Sequence, residues 1–248
     1  ITVREAPKRN EIDNQKKMKY ILKKLTEQKV MAVAKGWVIE HDSYDWLKTQ
    51  ARNRKRDPKV LEWLITQDLF VKNEVTGLDG EKRMLKTNKL RPEIEEIIAE
   101  DTKLNNKILK VIKKLLMDPK EKKESILLFA STVNHAKLLS SLIRSSIPET
   151  NCQYIFAGTH TDERCRHLAE FRAKKIKVLC NVDILTAGFD APQVDAIVVA
   201  RDTGSYVLYT QMVGRGLRGP KNGGTDECRV VDFSNKLRER MAGPSEEQ

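Results

Sequence analysis

The chain has 248 residues, 40% hydrophobic and 33% charged, with a net charge of +11 and a pI near 9.4. That balance supports an ordinary packed core under a charged surface and excludes a disordered chain. The length fits one large domain, or one compact domain with an accessory segment.

No apolar run approaches a membrane span, and nothing near Ile1 reads as a secretion signal. The first residue is not Met, so a piece of a longer intracellular protein is expected, from cytoplasm or from nucleoid or nucleus. The excess charge points to a polyanionic partner and is uneven. Residues 1–130 hold 30 Lys+Arg against 21 Asp+Glu, whereas residues 131–248 hold 16 against 14. Among the basic residues, Arg52, Arg54, Lys55 and Arg56 cluster in a way that shared solvated helix faces do not explain, and nucleic-acid contact is expected there. The four cysteines, Cys152, Cys165, Cys180 and Cys228, have no C-x-x-C spacing, and three lie in apolar runs. Reduced thiols are expected rather than a zinc site. His160, Cys165 and His167 fall on a polar segment that reads as a surface helix, so no metal site is expected.

Up to about Lys123 the pattern is helical, without strand alternation. Met18, Ile21, Leu22 and Leu25 lie on one helical face within Asn14 to Val33. Ser43 is placed to cap a short helix with Trp46 and Leu47, and Pro58 opens another with Leu61, Trp63, Leu64 and Ile65. Glu74 to Gly80 is turn-rich. Pro92 opens a long helical stretch that Asp118–Pro119 ends. The three tryptophans, Trp37, Trp46 and Trp63, are expected to form a small separate core, or else a docking surface.

From Ser125 short apolar runs alternate with amphipathic segments. Strands are predicted at Ile126–Ala130, Cys152–Phe156, Ile176–Cys180, Val194–Ala200 and Cys228–Asp232. Helices are predicted over Asn134 to Arg144, Asp162 to Arg172 and Ser205 to Val213. Repeated strand–helix–strand units imply an α/β fold, a parallel sheet with helices on both faces. Ligands of such sheets bind at the carboxyl ends of the strands.

Three loops carry chemistry. Ser131-Thr132 can cap the next helix or offer amides to a phosphate. Asn181 to Pro192 groups small polar residues suited to a phosphodiester, with Gly188 allowing a tight turn and Asp190 able to accept from a ribose hydroxyl or hold an arginine. Gln211 to Gly219 places Arg215 and Arg218 one helical turn apart among Gly214, Gly216 and Gly219. Two guanidiniums on such a turn suit the charge of a transferring γ-phosphoryl group.

Together these loops resemble the second, RecA-like motor domain of superfamily-2 (DEAD/DEAH-type) helicases, in the group that contains the XPB helicase and the motors of restriction systems. Ile126 to Phe129 with His135-Ala136 looks like motif IV, Val178 to Pro192 like motif V, and Gln211 to Arg218 like motif VI. The resemblance covers Ser125 to about Leu237 and, more weakly, Ile21 to Glu40. It implies that Gln211, Arg215 and Arg218 face the ATP γ-phosphate as the catalytic set. Gly188, Asp190 and Gly214 would serve ATP binding and coupling. Ser131, Thr132, Asn181 and Asp183 would lie toward a nucleic-acid backbone, with Asn181 standing where the family often has Thr. DNA is the implied track, with RNA second.

No G-x-x-x-x-G-K-[ST] and no D-E-x-[DH] after an apolar strand occurs in the sequence. ATP and Mg2+ are therefore expected to be held mainly by an N-terminal RecA-like domain of the same protein. The expected layout is a helical accessory or linker segment over 1–80, a helical lead-in over 81–124, the RecA-like domain over 125–240 and a tail over 241–248. The alternatives are a non-catalytic nucleic-acid clamp and a subunit-docking scaffold.

Overall fold

Parallel strands buried on both faces read as continuous apolar runs, and the centre of this molecule is built from such runs. The computed structural model describes residues 27–28, 31–39, 43–52, 56–76, 81–184, 193–202 and 206–233. The main sheet holds β1 (Val33–Val38), β4 (Ile126–Ala130), β5 (Cys152–Ile155), β6 (Val178–Asn181), β7 (Ala196–Ala200) and β8 (Glu227–Asp232). Its order is β1-β8-β7-β4-β6-β5, with every pair parallel. This is the parallel α/β sheet with helices on both faces that the sequence predicts.

Helices α4 (Thr102–Met117) and α5 (Val133–Ser146) cover one face. Leu104, Ile108, Ile112 and Leu115 of α4, with Leu139 and Ile143 of α5, pack on Ile126, Leu128, Val178 and Val198. Helices α6 (Thr161–Arg172) and α7 (Tyr206–Gly214) cover the other, where Phe171 and Met212 meet Leu127, Phe129, Leu179 and Ile197. The chain leaves β4 through α5 in one direction and returns through α6 in the other. That reversal puts α6 on the opposite face, as right-handed crossovers require. Cys152, Cys180 and Cys228 are buried free thiols and Cys165 is exposed on α6. No disulfide joins them, and burial pushes the Cys228 thiol up to about 12.

The first part of the chain departs from the helical expectation. Its helices are α1 (Ser43–Ala51), α2 (Pro58–Thr66) and α3 (Pro92–Ala99), but β1 joins the main sheet beside β8. In addition, β2 (Phe70–Thr76) and β3 (Lys82–Leu90) form an antiparallel hairpin. Charged residues interrupt all three strands, which hides their alternation. The hairpin also bridges the division expected at residue 80. The stretch after Pro92 is two helices, because Asp101 accepts from the amides of Lys103 and Leu104 and starts α4 anew. Asp57 caps α2 in the same way, ahead of Pro58. Residues 14–26, where the first helical face is expected, and the tail at 241–248 lie outside the described residues.

The tryptophans do not share one core. Trp46 packs with Leu47, Leu64, Leu69, Phe70, Leu90, Ile94 and Ile97 in a small cluster, and its Nε1 donates to the Ile97 carbonyl at 2.7 Å. Trp37 packs against the main core, its ring covered by Arg229 at 4.4 Å and Lys114 at 4.7 Å. Trp63 carries Arg91 over its ring at 4.3 Å.

Candidate functional site

Adjacent strands β4 and β7 send their connections to opposite faces of the sheet. The crevice that opens between such strands at their carboxyl ends is where open α/β sheets bind ligands. Ser131 follows β4, and Arg201 and Asp202 follow β7. With Ser43, Leu90, Glu95, Ile98, Leu104 and Phe233 they line a pocket at that point.

Arg201 is buried, yet its guanidinium reaches the carboxylate of Asp183 beyond the end of β6, whose side chain is 63% exposed. Asp183 has φ 59, a left-handed conformation that aspartate tolerates better than most residues. The Arg201 Nε is buried without a hydrogen-bond partner. Glu95, from α3, lies in the same pocket. Burial pushes its carboxyl up to about 7; Arg201 and Lys89 oppose that shift, and Asp183 and Asp202 add to it.

Ser131 is held from below. Its Oγ lies 2.8 Å from His135 Nδ1, and His135 Nε2 lies 3.0 Å from Asn105 Oδ1. Asn105 Nδ2 donates to the Ala99 carbonyl at 2.8 Å, so Oδ1 is the acceptor and His135 carries its proton on Nε2. Burial depresses the His135 pKa to about 4, which keeps the ring neutral. The Ser131 hydroxyl therefore donates inward to Nδ1. It can donate to a phosphate only by turning away from His135.

Thr132 caps α5 by accepting from the His135 amide at 3.1 Å, and it donates to Glu96 Oε2 at 3.0 Å. Its hydroxyl is thus committed to structure. Asn181 is fully buried on β6, which lies between β4 and β5. Of the four residues expected at a nucleic-acid backbone, Ser131 and Asp183 are at the crevice, while Thr132 and Asn181 support it from within. Arg56, one of the cluster where nucleic-acid contact is expected, is held by Gln50 at 2.8 Å and Glu100 at 2.5 Å. Arg52 is exposed at the end of α1. Arg54, Lys55, Gly188 and Asp190 lie outside the described residues.

Gln211, on α7, and Arg215 and Arg218, in the segment after it, lie away from this crevice. Helix α7 runs back along the sheet, so the turn after it lies by the amino ends of β7, β8 and β1 rather than at the carboxyl edge. A Cβ on Gly216 would meet Cys228 Sγ at 2.2 Å and Ile197 Cγ1 at 2.8 Å. The Leu217 carbonyl accepts from the Ala32 amide at 3.0 Å, and Arg218 bridges Met31. A Cβ on Gly224 would meet the Arg218 carbonyl oxygen at 1.9 Å. Gly214 has open space around it. Arg215 and Arg218 are half-buried and Gln211 is exposed. Upstream on α7, Tyr209 donates to buried Asp232; burial, then the Asp232 charge, pushes the phenol up to about 12.

Arg201, Glu95 and Gly224 lie outside the predicted set. No motif marks Glu95 or Gly224, because only long-range packing gives them their places. Arg201 carried one signal, a charge directly after an apolar strand. Among the described residues, no three of His, Cys, Asp and Glu converge to hold a metal ion, and no helix is long and apolar enough to cross a membrane.

Residues 106–219 match the helicase conserved C-terminal domain family. The chain is 30% identical over 182 residues to irc3 of Schizosaccharomyces pombe, whose name describes a mitochondrial ATP-dependent helicase; the match covers 73% of this chain and 27% of that protein. It is 35% identical over 128 residues to IRC3 of Saccharomyces cerevisiae, an ATP-dependent helicase by name, covering 51% of this chain and 18% of that protein. The chain thus spans about a quarter or less of these relatives. The C-terminal domain of the DEAD-box protein Dbp5 superposes with a TM-score of 0.46 at 20% identity, covering 57% of this chain and 75% of that one.

Proposed function

We propose, from the premise that residues 106–219 form a superfamily-2 helicase C-terminal domain, that this chain is the C-terminal motor half of an ATP-dependent nucleic-acid helicase or translocase. The observation that carries this reading is the Arg215–Gly219 turn. Gly216 within it and Gly224 after it admit no side chain and pin this segment to the sheet, and it carries the half-buried Arg215 and Arg218 directly after the helix that exposes Gln211. Preorganised cations of this kind act on charge that develops during phosphoryl transfer.

ATP supplies the phosphoryl group, and an N-terminal RecA-like domain of the same protein holds it together with Mg2+. Gln211, Arg215 and Arg218 then complete the pocket across the domain interface, and Gly214 leaves room for close approach. The nucleic acid lies at the crevice by Ser131 and Asp183, with Arg52, Arg54 and Lys55 as outlying contacts and Gly188 and Asp190 coupling the two ligands. Strand β7 separates the arginine turn from the crevice by roughly 16 Å, enough to keep the two ligands apart. DNA is the favoured track, by resemblance to duplex-DNA motors.

The test uses protein carrying both motor domains. Arg215→Ala is expected to lower nucleic-acid-stimulated ATP turnover by about 10³-fold or more while nucleotide affinity stays within a few-fold. Normal turnover in that variant overturns the assignment. The 248-residue chain alone is expected to turn over no ATP.

A further inference from the structure

The outer face of α4 has no role in the site described above. Its inner face is Leu104, Ile108, Ile112 and Leu115, all buried in the main core. Its outer face exposes Lys103, Lys107, Lys110, Lys113 and Lys114. No Asp or Glu occurs between Asp101 and Asp118. Those two are themselves used as caps: Asp101 accepts from the Lys103 and Leu104 amides, and Asp118 from the Lys120 amide.

Three carboxylates of α3 and its C-cap face other groups. Glu95 lies in the crevice with Arg201, Glu96 takes Thr132 and Asn134, and Glu100 takes Arg56.

Folding asks for Lys114, which suits the last turn of the helix and stacks on Trp37, but not for the rest of the row. A helix favours acidic residues in its first turn, and α4 has none there but has Lys103. Lysines three and four apart on one face repel each other. Lys103, Lys107 and Lys110, and then both Lys113 and Lys114, follow at those spacings along one face. An apolar inner face this well buried tolerates the repulsion, and a polyanion laid along the stripe would turn it into attraction.

We infer that the outer face of α4 is a second nucleic-acid contact, one that grips the backbone of a double helix. The inference rests on the proposed nucleic-acid motor. The stripe is roughly 16 Å long, the axial distance over which one strand of a duplex presents about five phosphates. Single-strand binding uses exposed aromatic rings on which bases stack. Among the described residues, the ring that meets a lysine of this face is Trp37, which is partly buried and already carries Lys114 and Arg229. The lysines therefore track phosphates without reading sequence.

The experiment measures binding of the 248-residue chain to a short blunt DNA duplex across a salt series. Wild type is compared with a variant carrying Lys103→Gln, Lys107→Gln, Lys110→Gln and Lys113→Gln. The plot of log affinity against log salt is expected to become shallower by about 3 to 4. The variant is expected to melt at the same or a higher temperature, because like-charge repulsion is removed. An unchanged slope overturns the inference and leaves the proposed motor standing. No duplex binding by wild type overturns both the inference and the nucleic-acid partner. Unchanged duplex binding with lost polyglutamate binding makes the partner an acidic protein and also overturns it. If the glutamine variant melts lower, the four Lys→Arg substitutions decide: they must keep the wild-type slope, and a shallower one overturns the inference.

Discussion

The guanidinium of Arg201 reaches past the carboxyl end of β4 to the carboxylate of Asp183, joining the ends of β7 and β6 across the strand between them. One partner is buried and the other largely exposed, so the pair ties an outlying position to the sheet core. Hydrogen bonds to charged groups contribute about 1.5–3 kcal/mol when one partner is buried. A double-mutant cycle on Arg201→Ala and Asp183→Asn in urea is expected to return a coupling of about 1–2 kcal/mol. Additive single effects would show that the contact carries no stability.

A buried histidine and a half-buried carboxyl give the fold opposite responses to pH. His135 has its pKa depressed by burial to about 4. Its unfolded form binds the extra proton first, so stability is lost as pH falls from about 6.5 toward 4. Glu95 has its pKa raised by burial to about 7. Its folded form holds the proton longer, so stability is lost as pH rises from about 4.5 through 7. Glu95→Gln is expected to stabilise the chain by up to about 3 kcal/mol at pH 8 and to change it little at pH 4. Stability curves that run parallel across this range would count against the half-buried carboxyl.

The glycines that flank the arginine turn divide into two kinds. Gly224 faces backbone, the Arg218 carbonyl oxygen at 1.9 Å from an added Cβ, so Gly224→Ala must move the segment that carries Arg218. A cost of about 1–3 kcal/mol is expected, together with reduced ATP turnover in protein carrying both motor domains. Gly214 meets nothing within 4 Å, so Gly214→Ala is expected to leave thermal stability intact. If Gly214→Ala also leaves turnover unchanged, close approach of a nucleotide at that position is ruled out.

Much of the sheet is legible in the amino-acid sequence. The runs Ile126–Ala130 and Ala196–Ala200 are apolar throughout because each is enclosed on both faces, and such runs announce themselves without neighbours. Strand β1 does not, because Lys35 and Gly36 break its pattern at the exposed sheet edge. The hairpin β2–β3 has the same difficulty, with Lys72, Glu74, Lys82 and Arg83 spread over a two-stranded surface. The break between α3 and α4 had a readable signal in Asp101, the N-cap that a single apolar periodicity conceals.

By itself the sequence determined the alternating strands and helices, the motif-like loops and the absence of a phosphate-binding loop, because each is a local pattern of residue types. Only the tertiary structure decided that Ser131 and Asp183 share a crevice with Arg201 and Glu95. It also decided that Asn181 is enclosed and that Arg215 and Arg218 stand at the other edge of the sheet. Those relations depend on strand order, and strand order depends on pairings such as Val33 with Glu227. Residues so far apart in the chain meet through the summed burial of whole elements, which no local spacing records.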